Sequence, residues 1–387
     1  MRVLKRVPYY PPHVGWLESH IAEWSHAWVQ AGYGQVCIFT SSPGQTLPHR
    51  SPEPGIDVYS YPTREIIPGY PVPRFWTWGF WRVWRIGRTW KPDMVHTHTR
   101  FFLSTIAGGM FARACKKPWV HMEHGVAYVK LSSRVLTACA WIYDQIFGRR
   151  AFRYADLVVG ISGWCKRFVQ RFTSRDIPVI RRGVALDAAI LDRVWEKKEV
   201  LYRAMSSQGD SWMLMQIGFV GRLVALKGVD LLIEAFGRLH AAGYNVYCQI
   251  IGDGDARAWL ESQVTKLGLG EYITFLWSME RNTIMEDILP SIDIIVNPSF
   301  QEGLPTSVLE WLLTWCVVVA TDVGWTPEIS DEADLILVQP GDVNSLQQWL
   351  QRAIEQYENI RGRSRLSVRE RFSWGRAIAE YFTLFTK

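Results

Sequence analysis

The chain has 387 residues, 48% of them apolar and 21% charged, with a formal net charge of +6. This length exceeds one ordinary core and suits two domains of roughly 190 residues each, while the composition excludes a disordered or fibrous chain. No apolar run reaches the ~18 residues of a membrane span, and the N-terminal MRVLKRVPYYPP has no apolar signal core, so a soluble, cytoplasmic protein is expected. The six cysteines, at 37, 115, 139, 165, 248 and 316, form no CxxC pair and no metal-ligand spacing, which points to reduced thiols. Residues 1–187 hold 25 Lys+Arg against 11 Asp+Glu, whereas residues 188–387 hold 18 against 26. The basic first half implies an anionic surface or substrate, but no nucleic-acid-binding signature accompanies it and no nucleic-acid partner is expected. Tryptophan is in excess, at 20 residues.

Short apolar runs alternate with amphipathic stretches, the pattern of an α/β protein with parallel sheets. In the first half the pattern predicts strands at Val36–Thr40, Met94–Thr97, Trp119–Met122 and Leu157–Ile161, and helices at Leu17–Ala31, Leu103–Ala114 and Ile142–Tyr154. In the second half it predicts strands at Met213–Val220, Val246–Ile251, Ile273–Leu276, Ile294–Asn297 and Val317–Thr321. The helices there fall at Gly228–Ala242, Ala256–Leu267, Ser307–Leu313 and Val343–Tyr357. The charged, weakly periodic segment 188–211 reads as a linker, giving two doubly wound domains joined near residue 200. Ligands bind at the carboxyl ends of the strands in such sheets, so a cleft between the domains is the default site.

One segment fits neither sheet. On a helical wheel, Arg74–Lys91 places Trp76, Phe80, Val83, Trp84 and Trp90 on one face and Arg74, Arg82, Arg85 and Arg88 on the other, with Trp81 the exception. Arginines opposite bulky aromatics suit an interfacial helix on anionic lipid, the alternative being a face packed on its own domain.

Three motifs carry chemistry. After the strand ending at Val220 comes GRLVALKG (221–228), where Gly221 opens a loop and Arg222 and Lys227, with a helix N-terminus, can hold a diphosphate. IIGDGD (250–255) is a strand followed by a tight glycine turn. In PSFQEGLPTSVLEW (298–311), Glu302 and Glu310 flank a Gly-Leu-Pro turn and the start of a helix; a carboxylate there can accept hydrogen bonds from two sugar hydroxyls, and the turn amides can face a phosphate.

Together these resemble glycosyltransferase family 4, a retaining family of GT-B fold, in which two Rossmann-like domains face each other across a cleft. The resemblance covers nearly the whole chain. YYPPHVGWLESH (9–20), PDMVHTH (92–98), HMEHG (121–125), YADLVVGIS (154–162) and RRGVALD (181–187) match landmarks of the first domain; ATDVGWTPEIS (320–330), QPGD (339–342) and RFSW (371–374) match those of the second and of a terminal helix. It implies an acceptor-side domain over 1–190, a nucleotide-sugar-binding domain over 191–371, and a helix over 372–387 that crosses back to the first domain.

The resemblance also implies roles. Arg222 and Lys227 bind the donor diphosphate and stabilise the departing charge. Glu310 binds the ribose; Glu302, with Gly303, Leu304, Pro305 and Thr306, holds the transferred sugar and phosphates. His124 sits under the sugar, and Gly15 lets the first loop approach the phosphates. His96 and His98, with no third ligand evident, read as structural or acceptor-side rather than metal-binding. No metal and no cofactor is expected beyond the UDP- or GDP-linked donor. The leaving phosphate takes the acceptor proton, so no glycosidase-type carboxylate pair is needed. With the basic aromatic segment, this suggests a lipid-linked or cell-surface glycan acceptor, as in polysaccharide or glycolipid assembly, at the inner membrane face. A nucleotide-sugar epimerase of the same fold is one alternative, and a catalytically silent membrane-associated protein is another.

Five tryptophans stand where the resemblance leads one to expect glycine or another small residue: Trp16, Trp277, Trp311, Trp315 and Trp325. They are accommodated in an active enzyme, obstruct the donor in a silent one, or stand for glycines in an organism that reads UGA as glycine. Peptide masses of the protein from its native source decide the last account: glycine masses at these five positions are its expected result, and tryptophan masses refute it.

Overall fold

The computed structural model describes the chain except residues 14, 44–48, 68, 130–132, 186–187, 207–213, 303–304, 330–333 and 387, and the side chains of 43, 66, 67, 188, 205 and 206. The chain divides into two compact units, Met1–Gly183 with Phe372–Lys387, and Val184–Arg371.

The first unit is built on an eight-stranded sheet: β1 (Arg2–Arg6), β2 (Gln35–Pro43), β3 (Arg50–Glu53), β4 (Ile56–Ile67), β5 (Tyr70–Pro73), β6 (Met94–His98), β7 (Trp119–Glu123) and β8 (Leu157–Gly160). The spatial order is β3-β4-β2-β1-β6-β7-β8, with β5 beside β4. The sheet is parallel except where β3 and β5 pair with β4. The order reverses between β1 and β6, so the loops after these strands diverge and leave a crevice at their carboxyl ends. Strand β1 escapes the apolar-run reading because it contains Lys5 and Arg6, yet both are buried. The Lys5 ammonium lies 3.5 Å from the Trp24 ring centroid, and the Arg6 guanidinium 5.0 Å from both the Tyr61 and Phe80 rings. Aromatic faces thus replace part of the water these cations give up.

The expected helix Ile142–Tyr154 starts earlier, at Arg134, and passes through a π turn, Asp144–Gly148, before Arg149–Tyr154. The C-terminal helix Trp374–Phe385 belongs to the first unit. Glu23, on the helix Trp16–Gln30, accepts two 2.9 Å bonds from Arg182 and one of 3.0 Å from Trp374 Nε1, joining three distant segments.

The second unit carries a six-stranded, wholly parallel sheet: β9 (Met215–Val220), β10 (Val246–Ile251), β11 (Ile273–Leu276), β12 (Ile294–Asn297), β13 (Val317–Thr321) and β14 (Leu335–Val338), in the order β11-β10-β9-β12-β13-β14. The reversal here falls between β9 and β12. The linker reading of 188–211 is corrected over its described part: Ala188–Ser206 is a helix of this unit. Leu191, Val194 and Lys198 form its buried stripe. Lys198 Nζ donates to the Ile292 carbonyl at 2.5 Å, and Trp195 Nε1 donates to that of Leu313 at 2.7 Å. A charged helix with one buried stripe looks like a linker when only its composition is read.

The aromatic segment forms the helix Trp78–Trp90, but its apolar face is divided. Phe80 and Val83 are buried, and Trp84 packs on Phe111 at 4.9 Å, so Phe80 and Trp84 are withdrawn as membrane contacts. Trp76, Trp78 and Trp81 are exposed, at 73%, 75% and 54%, beside exposed Arg74, Arg82, Arg85 and Arg88.

Burial gives the first unit a pH-dependent stability. Desolvation, followed by repulsion from neighbouring charges, holds His20, His96 and His98 well below the ordinary histidine range; burial likewise lowers His124, to about 3. A group whose folded pKa lies below its unfolded value adds stability in full above the unfolded value and loses it as pH falls toward the folded one. Each histidine therefore costs up to about 1.4 kcal/mol per pH unit below about 6.5. Urea unfolding of this unit, followed by the fluorescence of buried Trp24 and Trp28, is expected to show a midpoint that drops steeply from pH 7.5 to 5.5; a flat midpoint refutes the assignment.

Candidate functional site

In the second unit, the loops after β9 and β12 flank the strand-order reversal and carry Arg222, Lys227 and Glu302. The loops are tied together by Phe300 N–H donating to the Leu226 carbonyl at 2.9 Å. At Gly228 the backbone is left-handed (φ 61°) and passes so close to the Pro298 carbonyl that a Cβ would collide with it. Only glycine meets both demands. The helix Val229–Ala241 starts immediately afterwards, and its first N–H groups lack intrahelical partners.

Lys227 Nζ lies 2.5 Å from Glu302 Oε1, which also accepts from Ser299 Oγ at 2.7 Å. Arg222 is exposed and makes no ion pair among the described residues. The structure thus brings Lys227 and Glu302 together and leaves Arg222 open to an anion. The GDGD turn is more than a turn: Leu223 N–H donates to the Asp253 carbonyl at 2.8 Å, and Ala256 N–H to that of Leu223 at 2.9 Å. A Cβ at Gly252 would strike the Gly221 carbonyl, so this turn braces the Arg222 loop from the side.

Glu310 sits within the helix Thr306–Leu313 and is already paired: Arg281 Nη2 approaches its Oε1 to 2.7 Å and donates a second bond to the Ala185 carbonyl at 2.9 Å. Pro305 precedes this helix and Thr306 begins it, whereas Gly303 and Leu304 lie outside the described residues.

In the first unit, a second cluster stands at the carboxyl ends of β1, β6 and β7. Glu123 has no solvent exposure and accepts from the amides of His124 (3.0 Å) and Gly125 (2.6 Å), from Arg100 N–H (3.1 Å) and from the Arg100 guanidinium (3.0 Å). Burial alone would raise its pKa, but the Arg100 charge, His121 and the Gly125 amide hold it down to about 2. Arg100 also donates to Asp144 at 2.9 Å, which the π turn brings inward. The carboxylate of Glu123 therefore shapes the loop that presents His124. It stands inside the HMEHG motif, the signal by which the sequence could have shown it.

His98, read as lacking further ligands, in fact meets two more histidines. Candidate ligand atoms of His20, His98 and His124 all lie within 4.8 Å of one another, with all three residues buried. His98 Nδ1 is 3.1 Å from His124 Nε2, and His98 Nε2 is 3.2 Å from Lys5 Nζ. His20 lies in the YYPPHVGWLESH motif but more than 70 residues from the others, and Lys5 has no sequence signal at all.

Gly15 is extended (φ −176°), a conformation open to any residue, and a Cβ there would meet only the end of the Glu18 side chain, whose carboxylate lies 2.8 Å from His13 Nδ1. Of the five tryptophans, only Trp315 occupies a left-handed position (φ 62°), the helix-ending place that favours glycine. Trp311 and Trp325 fill the core of the second unit, and Trp277 lies exposed with the Arg257 guanidinium 4.0 Å from its ring. Trp16 is exposed, its ring 5.1 Å from that of His124.

Comparison with known proteins fits this arrangement. Residues 15–188 match the model of Glycosyltransferase Family 4, and residues 215–356 match that of Glycosyl transferases group 1. The chain is 29% identical to the uncharacterized glycosyltransferase MJ1069 of Methanocaldococcus jannaschii, across 98% of this chain and 96% of the relative. Among solved structures, sucrose-phosphate synthase from Thermosynechococcus elongatus superposes with a TM-score of 0.72 at 18% identity, covering 100% of this chain and 98% of that one. HepE of Anabaena in complex with UDP also gives 0.72, at 16% identity, covering 99% and 100%. Two family models on consecutive halves of the chain, and a fold shared from end to end, identify the chain as a member of the group 1, family 4 glycosyltransferases, with the GT-B fold.

Proposed function

We propose that the chain transfers a sugar from a nucleotide-diphosphate sugar to a hydroxyl acceptor, with retention of configuration and without a metal cofactor. The observation that carries this reading is the pair of loops at the β9/β12 reversal, which carry Lys227, Glu302 and the exposed Arg222 next to the start of the helix Val229–Ala241. Arg222 and Lys227 supply the positive charge that a departing diphosphate needs. Glu302 neutralises Lys227 at 2.5 Å, and a diphosphate that takes over that role frees the carboxylate for sugar hydroxyls. Glu310 offers the ribose its remaining oxygen, with Arg281 holding the other. In the transfer, the bond from the sugar C1 to the diphosphate breaks, the acceptor oxygen bonds C1 on the same face, and the acceptor proton passes to the diphosphate oxygen. UDP occupies the HepE complex of the same fold, which makes UDP and GDP the first nucleotides to try.

The acceptor is proposed to be lipid-linked or a surface glycan, reached at an anionic membrane. The support is the exposed set Trp76, Trp78 and Trp81 among four exposed arginines; among the described residues, no helix is long and apolar enough to cross a membrane.

A thermal-shift panel tests the donor site. At a hundredfold over Kd a ligand adds about 2.7 kcal/mol, a rise of about 5–10 °C for a cooperative unit of this size. One of UDP, GDP or their sugars is expected to give this shift, and Arg222→Ala and Lys227→Ala to lose it; no shift from any nucleotide refutes the proposal. For the surface, flotation with anionic phosphatidylglycerol vesicles is expected to carry the chain, and combined Trp76→Ala, Trp78→Ala and Trp81→Ala to release it by at least tenfold. Equal flotation with neutral phosphatidylcholine vesicles, or none with either, refutes the membrane reading.

A further inference from the structure

One helix of the first unit turns its apolar side outward. The helix Arg134–Tyr143 has the sequence RVLTACAWIY, and only Ala140 in it is buried. Val135 is 70% exposed; Trp141, Ile142, the Cys139 thiol and, in the π turn, Ile146 are exposed as well. Val135, Cys139, Ile142 and Ile146 recur at intervals of four, three and four residues, so they form one stripe along the helix. Apolar residues scattered singly on a surface are ordinary, whereas a continuous stripe marks a contact.

Position explains the exposure. Phe152, farther along the same helical run, packs 5.7 Å from His121 in the middle of β7. Tyr143 packs 5.7 Å from Phe101, which lies just past the carboxyl end of β6. The turns before Tyr143 therefore extend beyond the carboxyl ends of the strands, where the sheet no longer backs them. The charge on this run is one-sided. From Ser133 to Ala155 the only acidic residue is Asp144, which is buried and accepts from Arg100 at 2.9 Å. Arg134, Arg149, Arg150 and Arg153 are exposed. An apolar stripe with cations at both ends and no exposed carboxylate suits an anionic lipid surface, which takes up the side chains and neutralises the guanidinium groups. A second copy of the chain fits worse, because pairing two such stripes sets arginines against arginines with no carboxylate between them.

We propose that the helix Arg134–Tyr143, with the π turn after it, is a membrane-contacting element whose stripe of Val135, Cys139, Ile142 and Ile146 enters the headgroup layer of an anionic bilayer. The inference rests on the reading in which the chain works at an anionic membrane, and it adds a second contact separate from Trp76, Trp78 and Trp81. Strand β5 links the two contacts. Tyr70 at its start lies 6.4 Å from the Tyr143 ring, and Pro73 at its end leads into Arg74 and Trp76. Two contacts fix the orientation of the unit on a surface, which a single helix leaves free to turn.

Cys139 supplies the probe. It is the one exposed thiol of the six, Cys115 is half-buried and the other four are buried, so in the full chain carrying Cys115→Ser an environment-sensitive fluorophore attaches at position 139. With phosphatidylglycerol vesicles the emission is expected to shift to the blue and rise at least about threefold, and with phosphatidylcholine vesicles to stay unchanged. Combined Val135→Ser, Ile142→Ser and Ile146→Ser is expected to weaken flotation with phosphatidylglycerol vesicles at least about tenfold at an unchanged thermal midpoint. Should that variant lose its thermal transition, the label decides. A chain that floats while the label stays silent, or a folded serine variant that floats like the native chain, overturns this proposal and leaves the contact at Trp76, Trp78 and Trp81 standing. A native chain that does not float overturns both. A blue shift that grows with protein concentration in the absence of vesicles, accompanied by a dimer in sedimentation, assigns the stripe to a second copy and also overturns the proposal.

Discussion

A parallel sheet must be covered on both faces, so each strand is followed by a helix that returns the chain to the same edge. The chain can extend such a sheet outward in one direction only until it jumps back, and at that jump two neighbouring strands send their loops apart. In this protein each unit makes the jump once, between β1 and β6 in the first and between β9 and β12 in the second. The chemically distinctive side chains of both units collect at these two places. Arg222, Lys227 and Glu302 stand on the loops of one, while Lys5, His98 and, one strand further, His124 stand at the carboxyl ends of the other.

The two crevices differ in how their charges are managed. In the second unit Arg222 is exposed to water, and Lys227, half-buried, is neutralised by the single carboxylate of Glu302. In the first unit Lys5, Arg6 and Arg100 are buried, and each has found a different substitute for water. Lys5 has the Trp24 face and an imidazole nitrogen, Arg6 lies among aromatic rings, and Arg100 has two carboxylates and a carbonyl. Removing one partner from such a set leaves an uncompensated charge, which costs more than the intact set contributes. That asymmetry rigidifies the loop carrying His124 whatever the chain later binds.

Legibility followed the apolar pattern. Strands β10, β11, β12 and β13 coincide with the expected residues because they are short, mostly apolar runs. Strand β1 and the helix Ala188–Ser206 escaped because each hides a lysine inside, and a lysine in sequence reads as surface. The helix Trp78–Trp90 was visible as amphipathic, but which aromatics it buries was not: Phe80 and Trp84 go inward to Arg6 and Phe111, and Trp76, Trp78 and Trp81 stay out. The motifs around Lys227 and Glu302 were readable as separate loops, and their approach to 2.5 Å was not.

The sequence alone determined the class of fold, the family and the residue types offered to a donor, because those rest on short-range order: apolar runs, glycine turns and the succession of motifs. Tertiary structure decided which of those residues meet. It took Glu310 partly into an ion pair with Arg281, gave Glu123 the task of shaping the His124 loop, and assembled Lys5, His20, His98 and His124 from four distant segments. Such contacts depend on strand order and on the depth to which each side chain is buried, and neither quantity is local in the chain.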